Sequence, residues 1–185
     1  MVNGTIYHLN LVRFGLLGFL VAAGLSFAGC PQPIPRVPIP HSDASPPTMV
    51  WQTYNMQTRE NGEITKDGQS FDVPANEQYV VTLAVEDLNS GVKHVTLSGN
   101  VQYVCQQGSQ VENKKFILET QETKGVPDEI DTVPIRAALV YTVEFGKMGC
   151  KEFWIFGGGK LILSGKAYNF VGGAEAKTLF INLKK

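Results

Sequence analysis

Hydrophobic and polar residues alternate with a period of two along much of the chain after residue 48. The clearest example is the segment 78–86, in which one face would carry Tyr79, Val81, Leu83 and Val85. Successive side chains of a strand point to opposite faces, so this pattern predicts a strand with one face on a core. No long stretch repeats with the helical period of 3.6. The pattern therefore predicts an all-β domain.

Glycine, asparagine, aspartate and proline divide this region into short segments. We predict strands over 49–54, 78–86, 92–98, 101–106, 115–120, 135–145, 152–156, 160–170 and 177–183. Asp87–Gly91 is predicted to be a turn, Gly99–Asn100 a break between strands, and Gly157–Gly159 a hairpin turn. Strands of this number and length are typical of a two-sheet sandwich.

Two segments resemble bacterial extracellular immunoglobulin-like modules. In residues 85–99, an acidic residue precedes a Ser-Gly turn and a valine-rich strand follows. Residues 167–183 are similar to the last hairpin of such modules. The resemblance implies an immunoglobulin-like antiparallel sandwich over 48–185. The middle of the chain, 106–160, is longer than a minimal module needs, and we expect an inserted hairpin there.

The N-terminal 29 residues have the parts of an export signal. Arg13 precedes an uncharged apolar segment, 14–28, which ends in small residues. As a helix this segment would span roughly 22 Å, less than the ~30 Å hydrocarbon core of a bilayer. We therefore expect residues 1–29 to be a removable signal peptide.

Phe27-Ala28-Gly29-Cys30 resembles the lipobox of bacterial lipoproteins, with Phe27 where leucine is usual. The resemblance implies cleavage before Cys30 and a diacylglyceryl group on its thiol. It also implies anchoring to a membrane on the extracytoplasmic side of the cell envelope. Pro31 in place of aspartate favours the outer membrane. A plain secretory signal and an uncleaved membrane anchor are the alternatives.

Residues 31–47 are rich in proline, which fixes φ and removes backbone donors. The segment 30–47 is therefore predicted to be a lipid-bearing cysteine followed by an extended, semi-rigid tether of up to ~3.1 Å per residue. A ligand for SH3-type domains is the alternative interpretation of these prolines.

Charge and composition exclude some function classes. The 185-residue chain has a formal net charge of −1, and its lysines and glutamates are mixed without a basic block. Nucleic-acid binding requires a concentrated positive face, so no nucleic-acid partner is expected.

The chain has three cysteines, an odd number that lipidation of Cys30 would explain. Cys105 and Cys150 lie on or beside predicted strands, and an exported protein can form disulfides. We predict a bridge between them; two buried free thiols are the alternative. A cysteine metal or redox site is not expected, because no Cys-x-x-Cys motif is present.

Acidic residues cluster in two places, and Glu86, Asp87, Asp128 and Asp131 are the only calcium candidates. Solvated turn residues are the simpler interpretation, and a glycosidase pair is another alternative. We predict no catalytic residue and no cofactor. His94 is expected to be a surface or half-buried strand residue.

Residues 153–156 form a dense aromatic run, Phe-Trp-Ile-Phe. Alternate members are expected to fill the core, and any exposed members would form a partner surface. We therefore expect a non-enzymatic, lipid-anchored binding or structural module whose partner is an envelope protein or polysaccharide. The alternatives are an envelope hydrolase and a calcium-stabilised adhesion module.

Overall fold

The computed structural model describes residues 34–38, 45–74, 77–128, 132–144 and 150–185. These residues form strands, turns and loops without a helix, so the predicted all-β class is confirmed. The eleven strands in the described ranges are β1 Arg36–Pro38, β2 Thr48–Asn55, β3 Asn61–Ile64, β4 Ser70–Pro74, β5 Gln78–Glu86, β6 Val92–Gln107, β7 Gln110–Lys124, β8 Thr132–Pro134, β9 Arg136–Glu144, β10 Ile155–Asn169 and β11 Ala174–Lys184.

Two larger sheets enclose one core, as in a β-sandwich. One has four strands in the order β3-β2-β5-β9, and the other has five in the order β4-β11-β10-β6-β7. All pairs in these sheets are antiparallel except β11 and β4, which are parallel. The third sheet is the small antiparallel pair β1-β8.

The core follows from the alternation seen in the sequence. The four-stranded sheet contributes the fully buried Trp51, Val81 and Leu83. Across from them, the five-stranded sheet contributes buried residues such as Leu163 and Ile181, and all belong to one hydrophobic cluster. Burial of large apolar side chains, at ~1.5–3 kcal/mol each, is the main stabilising contribution to such a sandwich.

Two predicted breaks between strands were wrong, and the strand predicted over 152–156 begins only at Ile155. Gly99–Asn100 does not break a strand but lies within β6, at a register shift against β7. Gly157–Gly159 is not a hairpin turn but a register shift within β10. These glycines allow close approach of neighbouring strands: a Cβ on Gly99 would lie 2.6 Å from the Ile162 carbonyl oxygen, and one on Gly159 would lie 2.4 Å from that of Gln102.

The five-stranded sheet is longer than the sheet that faces it. β6, β7 and β10 have 16, 15 and 15 residues, whereas the longest strands of the four-stranded sheet, β5 and β9, have 9 each. The β6–β7 hairpin is the longest in the described chain; β7 lies within the middle region 106–160, whereas almost all of β6 precedes it. At ~3.4 Å per residue, β6 spans roughly 50 Å.

We name the two ends of the sandwich by their position along β6. The proximal end contains the turn between β5 and β6, the end of β10 and the end of β7, where the Gly125 amide donates to the Lys93 carbonyl. The distal end contains the β6–β7 hairpin and the start of β10, where Ile155 pairs with Gln106. The N-terminal strands β1 and β2 begin at the proximal end.

A distal apolar surface and a hydrogen-bonded proximal end

Five large apolar side chains are exposed on the distal half of the five-stranded sheet and the segment leading into it. Ile117 and Phe153 are the most exposed, at 85% and 80%. We call the set the distal apolar surface: Val111, Phe116, Ile117, Phe153 and Ile155. Isolated exposed apolar residues are ordinary, but a concentration of them marks an interaction surface.

Strand register places Val111, Ile117 and Ile155 on the outer face of the five-stranded sheet, whereas Phe116, which pairs with the buried Val101, lies on the inner face. Val111 of β7 pairs with Gln106, which pairs in turn with Ile155 of β10, so the three form one row. Partners across neighbouring strands point to the same face. A second row runs across four strands through Ile117, Asn100, Ile162 and Phe180.

A disulfide fixes the segment that leads into β10. Cys105 and Cys150 are bridged, as predicted, and Cys105 is fully buried at the distal end of β6. The aromatic run behaves as the sequence analysis anticipated. Trp154 and Phe156 are partly buried against the core cluster, whereas Phe153, at a φ of 67°, is exposed.

Tyr103 is the centre of the aromatic contacts at this end. Its ring centroid lies 5.8 Å from that of Phe116 in a stacked arrangement and 5.9 Å from that of Phe156. These separations are typical of favourable aromatic pairs. Burial raises the pKa of the Tyr103 phenol, so the group is neutral at physiological pH and acts as part of the apolar wall.

Charged side chains border the aromatic contacts. Glu112 accepts a hydrogen bond from Lys114 Nζ at 2.7 Å, and its second oxygen lies 3.2 Å from Lys151 Nζ. Hydrogen bonds from these two ammonium groups lower the pKa of Glu112. Lys151 Nζ also lies 5.6 Å from the centroid of the Trp154 ring. An apolar area with a charged border is the common anatomy of a protein-binding surface.

The predicted acidic candidates lie at the opposite, proximal end. Asp87 is buried; one carboxylate oxygen accepts from the amides of Asn89 and Ser90, and the other accepts from Asn169 Nδ2 at 3.1 Å. The same Asn169 amide group donates to the Ser45 carbonyl at 2.7 Å. Asp87 therefore stabilises the turn before β6 and its contact with the N-terminal segment.

The other candidates have protein partners of their own. Glu86 forms an ion pair with Arg136, and Asp128 forms one with Arg36 at 2.9 Å. Asp131 lies outside the described residues. Within the described ranges, no group of three or more histidine, cysteine, aspartate or glutamate residues is placed to hold a metal ion.

Cys30 also lies outside the described residues, so lipidation stays a prediction. The described part of the predicted tether contacts the domain: Arg36–Pro38 forms β1 and pairs with β8. His94 is half-buried in β6, with Nε2 3.2 Å from Glu122 Oε2.

Sequence reasoning missed two features of the proximal end. Asn169 is 1% exposed and joins Asp87, Ser45 and Gly173. Arg36 joins β1 to the segment before β8. In the sequence, the only signal for Asn169 is its place before a Gly-Gly turn. Arg36 carries no signal, because its partners lie at least 90 residues away.

Comparisons with known proteins identify no family. No family model matches the chain, and no curated protein sequence matches it. Among solved structures, the sporulation control protein Spo0M from Bacillus subtilis is similar with a TM-score of 0.33 and 10% identity, over 75% of this chain and 50% of that one. The aligned part thus spans about half of that protein. Within the described residues, no helix has the length and apolar character to cross a membrane.

Proposed function

We propose that this chain is a non-enzymatic binding module of the cell envelope, anchored by lipid on Cys30, which recognises its partner with the distal apolar surface. The partner is an envelope protein or polysaccharide. The observation that carries the proposal is the separation of two ends. Five exposed large apolar residues lie on the distal half of the five-stranded sheet and the segment leading into it, and the N-terminal segment joins the domain at the proximal end.

The distal apolar surface has the composition of a binding site. Large apolar and aromatic side chains dominate the energetics of protein interfaces, and a few central residues carry most of the binding energy. Ile117 and Phe153 are the strongest candidates, because each exposes at least 80% of its surface. Complete burial of such a side chain contributes ~1.5–3 kcal/mol.

The geometry suits an anchored module. If the lipid is attached at Cys30, only three residues separate it from Ile34, the first described residue. The membrane then lies on the proximal side. The distal apolar surface then lies roughly 25–50 Å from the proximal end along β6, because Ile117 pairs with Asn100 at the middle of this strand and Val111 pairs with Gln106 near its far end. The distal apolar surface can then bind a partner in the envelope without steric interference from the bilayer.

An immunoglobulin-like topology is part of the proposal. The segment 85–99, which resembles a strand–turn–strand of such modules, crosses from β5 in one sheet to β6 in the other. The C-terminal segment that resembles their last hairpin forms β10 and β11. Crossing connections between packed antiparallel sheets are characteristic of this class of sandwich.

The anchor is tested by the mass of the protein extracted from membranes. We expect a polypeptide beginning at Cys30 with a diacylglyceryl adduct, and loss of both from a Cys30→Ser variant. A Cys30→Ser protein that is cut at the same place and stays equally membrane-bound in detergent partitioning would contradict the lipid anchor.

The binding surface is tested by photo-crosslinking in envelope preparations. A benzophenone amino acid is introduced at Ile117 or Phe153, with Thr96 as the matched position on the outer face of the polar half of the same sheet. We expect a discrete adduct from the first two positions that an added excess of the unlabelled protein suppresses. Equal labelling from all three positions would refute a distal binding surface.

A further inference from the structure

We propose that the proximal end is itself a membrane-contact surface, in which Ile34, Leu88 and Val126 touch the lipid interface beside the anchor. This inference rests on the proposed lipidation of Cys30. It goes beyond the lipid anchor, because a domain anchored through a long tether would make no lipid contact of its own.

The length of chain between the anchor and the domain limits their distance. Four peptide units join the Cα atoms of Cys30 and Ile34. Fully extended, they span at most about 14 Å. The acyl chains of a lipidated Cys30 lie in the hydrocarbon core, and the polar region on each side of that core is only ~5–8 Å thick. Ile34 is therefore held at or near the membrane surface.

The residues after Ile34 cannot act as a further spacer, because they are attached to the domain. Arg36–Pro38 pairs with Thr132–Pro134, and the Ile135 amide donates to the Pro35 carbonyl at 3.1 Å. The Arg36 guanidinium donates to the carbonyl oxygens of Val126 and Thr132, both at 2.7 Å. Only residues 31–33 separate the anchor from this attached strand.

The three apolar side chains belong to segments that are bonded to one another. Val126 bonds to Arg36 through its carbonyl, as described above. Leu88 follows Asp87, whose amide donates to the Ile135 carbonyl at 2.8 Å. Ile34, Leu88 and Val126 are 45%, 56% and 67% exposed, so each presents apolar area at the end nearest the anchor.

Two arginines next to these side chains are in ion pairs, which lowers the cost of bringing this part of the surface to lipid. Arg36 is paired with Asp128 at 2.9 Å, and Arg136 with Glu86. A paired charge loses less solvation free energy at an interface than an isolated one. Apolar side chains inserted in the headgroup region add directly to the affinity given by an acyl anchor.

A fluorophore at single positions tests the contact. Cys30 would be acylated and the other two cysteines are bridged, so an introduced cysteine is the one reactive thiol. Full-length lipidated Leu88→Cys and Val126→Cys proteins are labelled with a polarity-sensitive dye and reconstituted in phosphatidylethanolamine–phosphatidylglycerol vesicles that contain spin-labelled lipid. Ile117→Cys, whose side chain is exposed on the distal half, is the matched control.

We expect blue-shifted emission and quenching by the spin-labelled lipid at positions 88 and 126, and water-like, unquenched emission at position 117. Equal, unquenched emission at all three positions, from protein that carries the Cys30 adduct and floats with the vesicles, would overturn the membrane contact and leave the proposed anchor standing. Protein without an adduct that does not float with the vesicles would overturn the anchor and this inference together.

Discussion

Removing the Cys105–Cys150 bridge should destabilise the domain by several kcal/mol. The bridged residues are 45 positions apart, so the closed loop contains 46 residues when both ends are counted. In the chain-entropy model, such a loop lowers the entropy of the unfolded chain by an amount worth about 4 kcal/mol at 25 °C. Domains of this size are stable by only ~5–15 kcal/mol, so the bridge accounts for a large share.

The appropriate variant replaces both cysteines with alanine, because Cys105 is fully buried and a serine would add an unpaired hydroxyl there. The free energy of unfolding is measured by urea denaturation followed by circular dichroism. With an unfolding entropy of ~2.1 cal/mol/K per residue, a loss of 4 kcal/mol corresponds to a decrease in Tm of roughly 14 °C for the folded domain.

The same measurement on the unmodified protein with and without a thiol reductant is the control, since it changes no side-chain volume. We expect reduction to lower stability by a similar amount and to increase hydrogen exchange in the segment after Cys150, which the bridge holds against β6. A difference below about 1 kcal/mol between the bridged and reduced proteins would refute the loop-entropy argument.

Three further predictions concern single residues. Gly91→Ala should destabilise the domain by more than ~2 kcal/mol in urea denaturation, because φ is +65° and the new Cβ would lie 2.3 Å from a valine methyl of β8. The control Gly108→Ala, at φ +59° with no neighbour within 4 Å, should cost only ~1–2 kcal/mol. Equal losses of stability in the two variants would contradict the predicted clash at Gly91. Asn169→Ala should lower the free energy of unfolding by ~3 kcal/mol in the same assay, because it leaves buried hydrogen-bonding groups unpaired. The control Asn182→Ala removes a hydrogen bond at the exposed surface and should change the free energy of unfolding by no more than about 0.5 kcal/mol. Two lysine ammonium groups lower the pKa of Glu112, so its ion pairs stabilise the fold at neutral pH and lose this contribution as the pH falls through the lowered pKa. An NMR titration of the Glu112 carboxyl with a midpoint at or above the ordinary glutamate value would contradict this prediction.

Local patterns were enough to predict several of the strands that form the sandwich. β2, β5 and β11 lie close to their predicted positions, because each has one apolar face and ends at a turn. The predicted bridge was also right: two cysteines on or beside predicted strands, in a chain expected to be exported, favour pairing. These features depend on the alternation of apolar and polar residues within a few positions, and on the ability of cysteine thiols to form disulfides.

Features that depend on distant strands were not predictable. Gly99 and Gly159 look like turn residues in the sequence, but each lies where another strand comes too close for a side chain. β3 and β4 were not predicted as strands. Each is short, and β4 is identified by pairing with β11 more than 100 residues later. Exposure at Ile117 depends on β7 lying at a sheet edge.

The proposed membrane contact depends on β1, a three-residue strand in a two-stranded sheet, which is marginal on its own. The Arg36 side chain adds four polar contacts to the backbone pairing of β1: it donates to the Thr132 hydroxyl at 3.0 Å and to two carbonyl oxygens, and it pairs with Asp128. An Arg36→Ala change should therefore release β1. In the described part of the chain, the next contact of the N-terminal segment is the Ser45 carbonyl with Asn169.

Release of β1 would lengthen the spacer from residues 31–33 to as far as residue 44, and its greatest reach, at ~3.5 Å per peptide unit, would rise from about 14 Å to roughly 52 Å. The domain would then spend less time at the bilayer. We expect the label at Leu88 to lose much of its quenching by spin-labelled lipid, and the Val37 amide to exchange faster. Arg59→Ala, which removes the same charge from an exposed turn at the distal end, should change neither. If Arg36→Ala accelerates exchange at Val37 while quenching at Leu88 stays at its original level, contact with lipid does not depend on the short spacer, and the apolar side chains of the proximal end must hold the domain there by themselves.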